Sequence, residues 1–258
     1  MFRKLTEEDF AVLRKPLESG RQNPSSFAAI LILSIFLQAL MFFLTYIVAA
    51  DSSLYPNMEI IFVTHLIVTS ILILLSIIYS IPAIYMKFQR LQYLVTIMVS
   101  QNLFGVFFYI AALFIIGSNR LGLNVSRESL LFFTFVTLLF GLLIFIATSI
   151  RFYILLRNGR YQKGSKKDEI RGGFETKSYL PIAIIGGVGL VFVIQYIARN
   201  SYMFDINVII VILIGPLLFY AMLFVLPEQI VILYCKYRFD SFNFNNKGEL
   251  NPMGRKGA

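Results

Sequence analysis

The chain has 258 residues, of which 58% are hydrophobic and only 14% are charged, and its mean hydropathy is +0.76. This composition excludes an ordinary soluble globular domain, which needs more polar surface around its core. The net charge of +9 does not indicate nucleic-acid binding. The basic residues flank apolar segments, where membrane insertion and anionic lipid headgroups account for them.

Residues 1–26 precede the first apolar segment and predict a short amphipathic helix. Thr6 is followed by three acidic residues, which suits the start of a helix. The predicted apolar face consists of Phe2, Leu5, Phe10, Leu13 and Leu17. Such a helix lies along a membrane surface with its apolar face in the lipid, so we expect an interfacial segment here.

Six long apolar segments follow, and each reaches or approaches the ~20 residues that cross ~30 Å of hydrocarbon. They are residues 27–50, 60–85, 93–117, 130–150, 179–198 and 208–226. The sequence therefore predicts an all-α integral membrane protein, in which a bundle of six transmembrane helices forms one membrane domain over residues 27–234.

The hydrophilic segments alternate in their content of lysine and arginine. Twenty of the 23 basic residues lie before the first span, in the second and fourth loops, and in the tail. Of the other three, two lie in residues 118–129 and one in residues 199–207, and residues 51–59 have none. Because basic residues stay cytoplasmic during insertion, both termini are predicted to be cytoplasmic. Residues 235–258 would form a cytoplasmic tail that is partly disordered.

The fourth helix is expected to continue past residue 150, because residues 151–157 keep helical spacing and Asn158-Gly159 then provides a stop. Residues 159–178 form the longest loop, which is basic and predicted to be mobile.

The last span contains Pro216, and Pro227 follows at its inner edge. Proline removes a backbone donor and bends or breaks a helix. Residues 227–234 therefore either continue the sixth helix with a kink or turn along the interface, and the sequence leaves both possibilities open.

Three amide side chains lie deep inside predicted spans, where polar groups are costly. Gln38 lies about eleven residues into the first span, roughly 16 Å deep at ~1.5 Å per residue. Gln101 and Asn102 lie at a similar depth in the third span. We expect these residues to meet near the bilayer centre, with Ser34 one turn away from Gln38. They form either a polar solute site or hydrogen bonds that fix packing, and we favour packing.

His65 is the only histidine, five residues into the second span. Metal sites need several strong ligands, so no metal is expected. A proton-linked role is open to a histidine, but we favour a structural histidine near the outer surface that is hydrogen-bonded to a neighbour.

Glu228 is the only acidic residue within an apolar run, at the inner edge of the sixth span. We expect it to pair with a basic residue at the same depth and so to lock helix ends together. The candidate partners are Lys87, Arg90 and Arg151. The alternative is a carboxylate that gates or couples a movement.

No motif of an enzyme is present. The chain has no His-Glu-x-x-His metal site, no Gly-x-Ser-x-Gly turn and no Walker loop. We therefore predict a protein that is not an enzyme, with no catalytic residues and no cofactor.

In layout, the chain is similar to small bacterial export permeases that work with a separate ATPase. This resemblance is one of architecture and covers no specific motif. It implies a permease-like subunit in which residues 159–178 or 86–92 contact the cytoplasmic ATPase. The alternative is a membrane-embedded interaction or self-protection protein, which binds another membrane protein or shields the membrane from a toxin. Both hypotheses allow a homo-oligomer.

The source is expected to be bacterial and the location the plasma membrane. The chain is rich in isoleucine and phenylalanine and has no tryptophan, which suggests an AT-rich bacterial genome.

Overall fold

A computed structural model describes residues 5–118, 125–176 and 206–254. These residues form helices joined by short loops, with no strand among them. The predicted fifth span, residues 179–198, lies outside the described residues.

Five of the helical segments are long and apolar enough to cross a membrane. They are Pro24–Ala49, Met58–Ser80, Gln89–Gly117, Arg127–Arg157 and Ile212–Arg238. They overlap the first four predicted spans and the sixth, so helices at these five positions are confirmed. Large apolar side chains such as Phe36, Phe132 and Leu217 are at least 66% exposed on them. These surfaces are compatible with lipid contact and a membrane protein.

The described residues contain nine α-helices. They are α1 (Lys15–Glu18), α2 (Pro24–Phe43), α3 (Met58–Ser80), α4 (Pro82–Lys87), α5 (Gln89–Gln101), α6 (Phe107–Gly117), α7 (Arg127–Arg157), α8 (Lys166–Thr176) and α9 (Ile206–Arg238). A 3₁₀-helix, Glu7–Arg14, precedes α1, and another, Asp240–Phe242, follows α9.

Local sequence explains where these helices begin and end. The Asn23 side chain accepts a hydrogen bond from the Ser26 amide at 2.6 Å, and Pro24 occupies the first turn of α2. Extended backbone at Ile81, immediately before Pro82, separates α3 from α4. The fourth long helix ends at Arg157, as predicted, because Gly159 adopts the left-handed conformation, with φ +66°.

The last helix runs without interruption through Pro216 and Pro227 to Arg238. Residues 227–234 therefore continue the helix and do not turn along the interface. Helix α9 packs against α5, α6 and α7. A methyl group added at Gly215 would lie 2.5 Å from the Phe108 carbonyl oxygen, so only glycine allows α6 and α9 to approach this closely.

Two of the long helices contain a π-helical turn. Leu44–Ala49 ends the first of them, and Asn102–Val106 joins α5 to α6. A π turn widens the helix locally and often occurs at functional sites. Both turns pack against neighbouring helices within the bundle.

The N-terminal segment packs on the protein itself, which differs from the predicted amphipathic α-helix with its apolar face in the lipid. Glu7–Arg14 is a 3₁₀-helix, and Leu13 and Leu17 are almost fully buried. They belong to a cluster that includes Tyr161 and Phe242. The apolar face has partners in its own chain, so burying it in lipid is unnecessary.

The tail after α9 also folds back onto the bundle, although the sequence suggested partial disorder. Phe242 and Phe244 are buried, and the Lys236 ammonium donates to the Phe242 carbonyl at 2.9 Å. Arg14 donates to the Asn251 carbonyl at 2.8 Å. Residues 5–23, 158–172 and 239–254 thus form one end of the bundle, which is termed the basic end.

The glycine contact can be tested by Gly215→Ala. Overpacking of a buried site costs about 1–3 kcal/mol, so the variant should lower the thermal unfolding midpoint of the purified protein in detergent. Gly105→Ala is the matched control on the same helix interface, because its added methyl group would meet Met222 at an ordinary 3.5 Å. Equal midpoints for the two variants would contradict the close α6–α9 contact.

Candidate functional site

Helix α3 turns a largely polar face into the bundle. Its buried residues are His65, Thr69, Leu72 and Ser76, which recur at the spacing of one helical face. The remaining faces carry exposed apolar side chains. Polar side chains that a long apolar helix buries need hydrogen-bond partners on the neighbouring helices.

His65 lies at the centre of a buried hydrogen-bond cluster. Its Nδ1 is 2.8 Å from the Tyr46 hydroxyl, and its Nε2 is 2.9 Å from Asn102 Oδ1. Asn102 Nδ2 donates to the Thr69 hydroxyl at 3.3 Å. Because Oδ1 can only accept, His65 donates from Nε2, and Nδ1 accepts the Tyr46 proton. Each ring nitrogen therefore has one partner.

Aromatic rings enclose this cluster. The Phe107 ring lies 4.4 Å from the His65 ring, and the Phe42 ring lies 6.1 Å away, measured between centroids. Tyr46 itself packs edge-on against Phe62 and Phe114. The histidine is therefore buried inside the bundle and fixed by two hydrogen bonds.

Both partners of His65 belong to π-helical turns. Tyr46 lies in Leu44–Ala49, and Asn102 begins Asn102–Val106. The extra residue in a π turn changes the direction of the following side chains relative to an ideal α-helix. The two turns thus set how the first and third long helical segments present their polar groups to α3.

Gln38 is also buried, with 0% exposure, but it does not join the histidine cluster. Among the described residues, neither its amide oxygen nor its amide nitrogen has a hydrogen-bond partner. It lies one helical turn before Phe42 on the same face. Ser34, expected to contact it, donates instead to the Leu31 carbonyl of its own helix.

Gln101 points away from Asn102 and contacts α9. Its amide nitrogen donates to the Met222 carbonyl at 3.1 Å and to Gln229 Oε1 at 3.2 Å. The predicted meeting of three amides is therefore only partly realised. Asn102 is in the cluster, Gln101 links α5 to α9, and Gln38 has no hydrogen bond to either.

Glu228 forms an ion pair with Arg171, which lies on α8. The pair was expected, but with Lys87, Arg90 or Arg151. Arg171 is distant in sequence and belongs to the segment predicted to be a mobile loop, so spacing along the spans could not identify it. The pair ties α8 to α9, which is long and apolar enough to cross a membrane.

Helix α8 is held at its other side by the N-terminal segment. The Lys15 ammonium lies 2.8 Å from Asp168 Oδ1. Hydrogen bonds from Lys15 and from the Gly164 amide lower the pKa of the Asp168 carboxyl, which keeps the pair charged at neutral pH. Two ion pairs therefore attach α8 to α9 on one side and to α1 on the other.

These contacts form a continuous route from α8 to the histidine. Arg171 contacts Glu228, and Gln229, which follows Glu228 on α9, contacts Gln101. Asn102, next to Gln101, contacts His65. The route includes Gln101, Asn102, His65 and Glu228, which the sequence analysis considered, but not Gln38. The other members carry no distinctive sequence pattern, because their role depends on how the helices are rotated.

Comparison with known proteins gives no relative: no protein-family model, no curated protein and no solved structure matches this chain.

The histidine cluster predicts the effect of Asn102→Leu. The substitution leaves the His65 Nε2–H buried without its acceptor, so the free energy of unfolding in detergent should fall by about 1–3 kcal/mol. Unfolding followed during titration with a denaturing detergent would measure it. Ser34→Ala is the control at a similarly buried position, because that hydroxyl bonds only to its own helix.

A second substitution distinguishes an unpaired donor from a simple loss of packing. In His65→Phe combined with Asn102→Leu, the unpaired Nε2 donor is removed, although the Tyr46 hydroxyl loses its Nδ1 acceptor. The double variant should therefore lose less stability than the two single variants together. Additive losses in the double variant would show that the His65–Asn102 bond does not link the two positions.

Proposed function

We propose that this chain is the permease-like subunit of a small bacterial export system, located in the plasma membrane and driven by a separate cytoplasmic ATPase. It is not itself an enzyme in this proposal. The observation that supports this proposal most strongly is the attachment of α8 to α9 through Arg171 and Glu228. A membrane subunit that responds to a soluble partner needs a surface element firmly tied to a spanning helix, and α8 is such an element.

Charge and chain direction support the orientation in this proposal. Twenty of the 23 lysine and arginine residues lie in the segments predicted to be cytoplasmic. The first and last described residues both lie at the basic end, where Arg238 donates to the Leu5 carbonyl and the Gly254 amide donates to Glu7. This arrangement supports six spans, with the basic end and both termini in the cytoplasm.

The outer face of α8 supplies a docking surface. Lys166, Glu169 and Ile170 are exposed and lie on one face, whereas Asp168 and Arg171 face the protein and make the ion pairs. Ile170 is 51% exposed. An exposed large apolar residue among charged ones, on a helix outside the spans, suits contact with another protein.

In this proposal, binding of the ATPase moves α8, and the buried histidine cluster is the element inside the membrane domain that this movement would reach. A shift of α8 moves Glu228, and α9 contacts Gln101, which adjoins Asn102. A hydrogen-bonded cluster with two alternative arrangements can respond to a displacement of this kind. In the proposed function, His65 and Asn102 report the state of the ATPase inside the membrane domain.

The proposal is tested by affinity capture of the protein from detergent-solubilised membranes of its own organism. We expect a nucleotide-binding ATPase to be captured with the unaltered chain. Ile170→Asp should lower its yield by about tenfold, which corresponds to ~1.4 kcal/mol. Met253→Asp is the matched control, because Met253 is also an exposed apolar residue at the basic end.

Two outcomes would contradict the proposal. Equal loss of the ATPase in both variants would mean that α8 is not the docking element. Capture of a secreted toxin or another integral membrane protein, with no ATPase, would favour the interaction or self-protection function.

A further inference from the structure

A cavity of about 380 Å³ lies at the basic end, between α7 and α9 and beside α8. Three basic side chains line it, Arg151 from α7 and Lys167 and Arg171 from α8. Among the described residues, Glu228 is the one acidic residue in its lining, and Arg171 already pairs with it. The lining therefore has an excess of two positive charges.

The cations are placed to act together. Lys167 donates to the Tyr161 hydroxyl at 2.6 Å and lies 4.0 Å above the Tyr161 ring. Burial lowers the pKa of Lys167, and the nearby positive charges of Arg171 and Arg151 lower it further, although Glu228 acts in the opposite direction. An anion in the cavity would relieve this repulsion.

Tyr161 adds a neutral donor to the same cavity. Burial is the main cause that raises its pKa, to about 12, so the hydroxyl keeps its proton at neutral pH. The hydroxyl oxygen accepts from Lys167, which leaves the hydroxyl proton directed elsewhere. Two cations and a hydroxyl donor are a combination that recognises phosphate oxygens.

The other wall of the cavity is apolar. Phe152 and Leu155 of α7 face Phe224 and Val225 of α9 across it. Phe224 is 52% exposed and lies in a helix apolar enough to span a membrane. The lining of the cavity therefore has a charged half and an apolar half.

We propose that this cavity binds a phosphate group, and that the apolar half selects the phosphate of an anionic phospholipid headgroup. Basic pockets between spanning helices are suited to such headgroups. A free phosphate ion would use the charged half alone. The site goes beyond the proposed export function and does not depend on it, because it is formed by this chain's own residues.

The test uses the purified, delipidated full-length protein in neutral detergent. Short-chain phosphatidylglycerol, short-chain phosphatidylcholine and inorganic phosphate are titrated separately, and the thermal unfolding midpoint and lipid adducts in native mass spectrometry are recorded. We expect phosphatidylglycerol, and not phosphatidylcholine, to raise the midpoint.

Two double variants with the same change in charge locate the effect. Arg151→Gln with Lys167→Gln alters the cavity and should weaken the response to phosphatidylglycerol by roughly 30-fold. Lys87→Gln with Arg90→Gln alters a different cavity at the same end and should leave the response unchanged. Arg151→Gln alone, at an exposed side chain, replaces the first pair if that protein does not fold.

Each outcome is decisive. An equal response to inorganic phosphate, lost only in the cavity variant, would retain the phosphate site and overturn its selection of a lipid. Equal weakening in both double variants would show general surface attraction, and no response to either phosphate source would also overturn the site.

Discussion

The cost of an unpaired polar group in an apolar bundle is the constraint on which the rest of this structure depends. His65 must turn inward from α3, and its two ring nitrogens require partners on two other helices. Tyr46 and Asn102 meet that requirement. Three helical segments are thereby fixed in rotation as well as in position, and their apolar faces are left outward.

The same constraint explains the basic end. Glu228 lies in a helix compatible with membrane spanning, where an isolated carboxylate is expensive, and Arg171 supplies its counter-charge. The ion pair holds α8 in place and closes one side of the phosphate-binding cavity that we propose. The packing of this end, the partner docking that we propose and the lipid binding that we propose therefore depend on one feature. That feature is the charged helix α8, which is attached to α9.

The sequence predicted what depends on local pattern. Hydropathy located five long helices, and Asn158-Gly159 located the end of α7. It did not predict the π turns, and it identified neither Tyr46 nor Arg171. The partner of a buried polar residue depends on how the helices are rotated and on how the loops pack. The hydropathy pattern of a single span gives no information about either. For the same reason, the sequence placed Gln101 and Asn102 at one site. In the structure these adjacent residues point in different directions, Gln101 to α9 and Asn102 to His65.

The most direct measurement is a nitrogen NMR spectrum of the protein labelled only at histidine, since His65 is its single histidine. The account predicts a ring protonated at Nε2, with shifts that change in Glu228→Gln but not in Lys87→Gln. A proton on Nδ1, or a spectrum that Glu228→Gln leaves unchanged, would contradict the route of contacts from α8 to the buried cluster.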